Sequence, residues 1–80
     1  MELLLTNTST ATTVKDGFKV SVIIKKCHEP LSLSFKGKIN SIDARHENFC
    51  IISFNDESGK HTLVITDYDE PLLDGELMFI

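Results

Sequence analysis

Tryptophan is absent from the 80-residue chain, proline and cysteine occur twice each, and glycine four times. Isolated Gly17, Gly37, Gly59 and Gly75 cannot build a phosphate-cradling loop, which needs clustered glycines turned to one point. With only Cys27 and Cys50, and no basic region around the short apolar run of residues 1–5, neither a disulfide scaffold nor a secretory leader is expected. The thiols are expected to be reduced and the chain cytoplasmic. No apolar run approaches the roughly 18 residues of a helical membrane span, and no segment holds a helical period over about ten residues.

What is present is a globular composition, 41% hydrophobic and 25% charged, too apolar for a disordered chain. Residues 1–80 are enough for one domain that buries only about 60% of its unfolded surface. A deep, dry active site would consume much of so small a core, so a binding surface is favoured over an enzyme. The net charge of −4 conceals a polarity: residues 1–45 carry seven Lys and Arg against four Asp and Glu, whereas residues 46–80 carry one against eight.

Alternation of apolar and polar residues predicts strands. Phe18, Val20, Val22 and Ile24 alternate with Lys19, Ser21, Ile23 and Lys25, and Leu31, Leu33 and Phe35 with Ser32, Ser34 and Lys36. Between them, Pro30 interrupts pairing. Beyond Gly37 the inward set slips by one, Ile39 to Ile42, which predicts a long strand with a bulge or sharp bend. Residues 49–54 are apolar on both faces, as in a central strand, and residues 55–60 are a strong turn signal before a β-branched strand at 62–66. A short strand at residues 2–6, a polar, flexible tract at 7–14 that forms a loop or ragged edge, a single helical turn or tight loop over 67–75 and a last strand at 77–80 complete the expectation. The fold expected is all-β: a five- to six-stranded SH3-like barrel with a strongly bent second main strand. An OB-fold is disfavoured because no segment has room for its helix.

The segment Gly37-x-Ile39-x-x-Ile42-Asp43, followed by residues 49–54, resembles the corresponding strand pair of Sm-like barrels, including YolD-like bacterial proteins. The resemblance spans about half the chain and implies a fold. The later strands depart from the RNA-binding signature of Sm proteins, so no RNA-binding residue is carried over.

Chemical motifs are sparse. Cys27, His28, His46 and Cys50 are zinc-type ligands, but they lack the close pairs of structural zinc motifs, so no metal is expected. Cys27, beside Lys25, Lys26 and His28, is the more accessible thiol, yet no orienting third group accompanies it, and catalysis is not expected. The acidic run 67–70 lacks EF-hand spacing. No cofactor is implied.

Two charged surfaces remain. Asp56, Glu57, Asp67, Asp69 and Glu70, with Tyr68 among them, suggest an acidic face for a larger, basic protein partner. Lys19, Lys25, Lys26, Lys36, Lys38 and Arg45 suggest a basic stripe for a nucleic-acid backbone, though without exposed aromatics for base stacking. The preferred expectation is a non-enzymatic binding module, regulatory or inhibitory and of phage or mobile-element type. The alternative is an Sm-like or OB-like nucleic-acid binder. No membrane is implied, and opposite-signed ends also suit a homo-oligomer.

Overall fold

The structure, a computed structural model, describes residues 2–26, 29–44 and 49–74. Eight strands run through them: β1 (Glu2–Leu4), β2 (Ser9–Val14), β3 (Gly17–Ile24), β4 (Glu29–Lys36), β5 (Lys38–Asp43), β6 (Phe49–Asp56), β7 (Gly59–Thr66) and β8 (Leu72–Leu73). They make two four-stranded antiparallel sheets, β1-β2-β3-β4 and β5-β6-β7-β8. The chain is all-β, as its alternation implies. Among the described residues, no helix is long and apolar enough to cross a membrane.

The inward rows of both sheets share one core. Phe18, Val20, Val22 and Ile24 of β3 meet Cys50, Ile52 and Phe54 of β6 and Leu63 and Ile65 of β7, with Leu5 and Ala11 at one side. Three phenylalanines from three strands interlock: Phe18 stacks on Phe35 at 5.1 Å and meets Phe54 edge-on at 5.1 Å, while Phe35 and Phe54 lie 5.7 Å apart. The buried Phe18 and Phe54 rings each contribute roughly 1.5–3 kcal/mol by removal from water and the half-buried Phe35 less, and each aromatic pair adds about 0.5–1.5 kcal/mol. The aromatic cluster therefore fastens one sheet to the other.

Several expectations need correction. The strands number eight among the described residues, not five or six, and they form two sheets without closing into a barrel. Most of the polar tract at 7–14 is not a loop. Residues 9–14 form β2, in register with β3 through Ser9↔Val22, Ala11↔Val20 and Thr13↔Phe18. Ser9 and Ala11 point inward, 0% and 4% exposed; small inward residues produce no hydrophobic alternation, so the strand period was invisible. The expected helical turn is absent from the described part of 67–75, where Leu72 and Leu73 pair with Val64 and Leu63. The last expected strand, 77–80, lies outside the described residues.

The bend expected at Gly37 is sharp enough to carry the chain from one sheet to the other: β4 ends at Lys36 and β5 begins at Lys38. The register slip that follows is also present. Ile39 pairs with Phe54 and Ser41 with Ser53, leaving Asn40 extra, so that Ile39 and Ile42 both reach the core.

Gly37 makes this corner possible. Its φ is +104°, and a Cβ there would sit 2.1 Å from the Asn55 carbonyl oxygen. Gly59 has a similar φ, +121°, with open space around it. Gly37→Ala is therefore expected to destabilise by more than the roughly 1–3 kcal/mol of backbone strain that limits Gly59→Ala. Urea denaturation of the two variants checks this, and equal losses would contradict the steric role of the corner.

Candidate functional site

The expected acidic face is divided by the fold. Asp56 and Glu57 sit at the β6–β7 hairpin, whereas residues 67–70 follow the opposite end of β7, an eight-residue strand or roughly 25 Å away. The lysines divide in the same way. Lys36 and Lys38 flank the corner and line an open groove of about 1240 Å³ together with Asp16, Asp56 and Glu57. Lys25 and Lys26 meet the 67–70 loop. Lys19 is exposed on β3, and Arg45 lies outside the described residues. Opposite charges that are separated in sequence are brought together at each end, so neither an unbroken lysine stripe nor a single acidic face results.

Asp67 does not belong to a surface. It is 0% exposed, and its Oδ1 accepts hydrogen bonds from Thr6 Oγ1 at 2.6 Å, Thr8 Oγ1, and Ser9 Oγ at 3.4 Å. Lys25 Nζ lies 4.0 Å from Oδ2, which is buried and has no hydrogen-bond partner among the described residues. Lys25 N also donates to the Asp67 carbonyl at 2.7 Å. The carboxylate thus ties the start of β2 and the end of β3 to the end of β7. Desolvation first, and the negative charges of Asp67 and Asp43 second, push the buried Cys50 thiol up to about 11, which keeps it protonated and inert at neutral pH.

Beyond Asp67 the loop turns outward in an ordered form. Thr66 Oγ1 accepts from Tyr68 N at 3.3 Å and Asp69 N at 3.0 Å, a hydroxyl-closed turn that any Ser or Thr can make locally. Tyr68 is 49% exposed, with Lys25 Nζ 5.6 Å from its ring centroid, within cation–π range. Lys26 Nζ is 3.8 Å from Asp69 Oδ1, both side chains largely in water, so that pair adds little stability. Tyr68, Asp69 and Glu70 border a cleft of about 270 Å³ whose other walls are Ile24, Lys26, Pro30 and Leu31. The arrangement offers an aromatic anchor beside an apolar slot with a charged rim, the chemistry of an interface centre.

A second cluster escaped sequence reasoning. At the hairpin end, Ser58 Oγ and His61 Nε2 lie 2.8 Å apart, and His61 Nδ1 hydrogen-bonds Asp74 Oδ2. The Ser–His–Asp order invites comparison with a hydrolytic triad, but Asp56 Oδ1 lies 2.9 Å from His61 Nε2 and accepts from Ser58 Oγ at 2.7 Å. Two flanking carboxylates favour the protonated imidazole, the form that has no lone pair with which to act as base. The Asp74 hydrogen bond chiefly, then Asp56, raises the His61 pKa. In return, His61 first and the Thr62 amide second lower that of Asp74, and Ser58 chiefly holds Asp56 down at about 2. The signal that could have found it is the Asp56-x-Ser58-x-x-His61 spacing across the hairpin turn, whereas Asp74 joins the cluster only through the pairing of β8 with β7. Cys27, His28 and His46 lie outside the described residues, among which no group of three or more His, Cys, Asp or Glu is placed to hold a metal ion.

Two outcomes follow from these clusters. Asp67→Ala would leave three hydroxyl donors facing a void and should cost roughly 2–4 kcal/mol in denaturant unfolding; a loss below about 0.5 kcal/mol would refute the tie. For His61, a raised folded-state pKa contributes stability that is complete below 6.5, the ordinary imidazole value, and is lost as pH rises through the raised one. The lowered carboxylates act oppositely, contributing above the ordinary 3.8 and losing their effect as pH falls through their depressed values. The melting-temperature difference between the parent and His61→Gln should therefore be largest between about 4 and 6.5 and shrink toward alkaline pH; a pH-independent difference would exclude the clamp. In the comparisons with known proteins, no family model, curated protein or solved structure matches this chain.

Proposed function

We propose that the protein is a non-enzymatic binding module that docks on a larger protein through Tyr68, Asp69 and Glu70 and the cleft beneath them, acting by occlusion as a regulator or inhibitor. The observation that carries this reading is a half-exposed tyrosine on a loop anchored by a buried carboxylate, next to a partly apolar slot. An anchored loop loses little freedom on binding, so more of the contact energy is available as affinity. The acidic residues available for the partner are Asp69 and Glu70, with Asp67 reassigned to the scaffold and Asp56 and Glu57 to the far end. Our architectural reading is an open relative of the SH3-like barrel, supported by the Gly37 corner and the core shared between both sheets.

Nuclease-treated host lysate passed over the tagged chain and over its Tyr68→Ala variant tests the reading. A protein retained by the parent is expected to bind the variant roughly 30-fold more weakly, the effect of about 2 kcal/mol at an interface anchor, while the melting temperature stays unchanged. Recovery that vanishes with nuclease would overturn the reading in favour of nucleic acid on Lys19, Lys36 and Lys38.

A further inference from the structure

Among the described residues β4 is the last strand of its sheet and pairs with β3 alone, which leaves a row of backbone N–H and C=O groups along its outer side without ladder partners among them. The core is open on the same flank. Leu31, Leu33 and Phe35 are half-buried, whereas their ladder partners Val22, Val20 and Phe18 are at most 1% exposed. Pro30 offers no N–H and Lys36 carries a charge, two devices that discourage indiscriminate edge pairing and leave residues 31–35 as its usable length.

Edge and cleft are continuous, because Pro30 and Leu31 belong to both. Both ends of the edge carry mixed charge, Asp69 and Glu70 standing with Lys26 at the cleft end and Lys36 and Lys38 with Asp16, Asp56 and Glu57 at the corner end, so it is the local pair of acids at the cleft that a ligand meets there. A ligand lying along β4 is thereby selected in three ways. It must be extended, to meet the backbone row; it must be apolar where it crosses the Ile24–Leu31 slot; and it must be basic where it reaches Asp69 and Glu70.

Resting on the docking reading above, we propose that the partner presents an extended segment that adds as a fifth strand beside β4, seats an aliphatic side chain between Ile24, Leu31 and Tyr68, and places a Lys or Arg against Asp69 and Glu70. Main-chain pairing supplies affinity in such strand addition, and alternate side chains supply specificity. The Lys26–Asp69 pair is exposed and weak, so an incoming cation exchanges with it at little cost.

Selection of a random 12-residue phage-displayed peptide library on the immobilised full chain, followed by anisotropy and hydrogen exchange with the best synthetic peptide, tests this. The expected result is enrichment of aliphatic residues next to Lys or Arg, slowed exchange of amides within residues 31–35 on binding, and an affinity about tenfold weaker in the Asp69→Lys/Glu70→Lys variant. Peptides that protect only residues 67–70 and depend on Tyr68 would overturn strand addition while leaving the docking reading standing. Peptides indifferent to Tyr68→Ala and to the charge reversal would overturn both. Failure to enrich, enrichment of acidic sequences, or protection of residues 31–35 that grows with protein concentration without peptide, as a second copy on the edge would cause, would each overturn the proposal.

Discussion

A carboxylate removed from water costs several kcal/mol unless it is met by donors or an opposite charge, and in Asp67 three hydroxyls from one short segment, Thr6, Thr8 and Ser9, meet Oδ1 while Oδ2 has only the Lys25 ammonium 4.0 Å away. That condition couples parts of the chain far apart in sequence. The segment before β2 must lie against the end of β7 to deliver the hydroxyls, and the end of β3 is drawn to the same place by the Lys25 N–H to Asp67 carbonyl bond. Once these three chain segments converge, the outward turn at Thr66 places Tyr68 over the slot between Ile24 and Leu31. The shape of the candidate docking surface is thus a consequence of satisfying one buried charge.

The opposite end of the molecule solves a different problem with the same economy of residues. There the chain passes between sheets at Gly37, while His61 holds Asp56 from β6 and Asp74 from beyond β8 and stacks on Phe54 at 5.2 Å. Phe54 in turn belongs to the three-ring cluster joining the sheets. The charged cluster and the aromatic core are therefore in contact, and the electrostatic clamp at the surface braces a ring of the interior.

Much of this organisation was legible from alternation alone. β3, β4, the bend at Gly37 and the slip between Ile39 and Ile42 follow from large apolar side chains at every second position, a pattern that interrupts itself only where the backbone must deviate, and β6 from a short run apolar on both faces. The strand at residues 9–14 was not legible, because Ser9 and Ala11 face the core with small side chains and Thr10 and Thr12 face outward with similar polarity. Leu72 and Leu73 carried no period at all: a two-residue strand is defined by its partners, Val64 and Leu63.

By itself, the sequence determined the class of the molecule, all-β with one core, since hydrophobic periodicity is a local property that burial then enforces. It also determined the separation of charge along the chain. Only the tertiary structure decided what those charges do, because pairing depends on distances that composition does not contain. Folding set Lys25 and Lys26 beside Asp67 and Asp69, turned Asp67 from a surface acid into an internal tie, and gathered Asp56, Ser58, His61 and Asp74 at one hairpin.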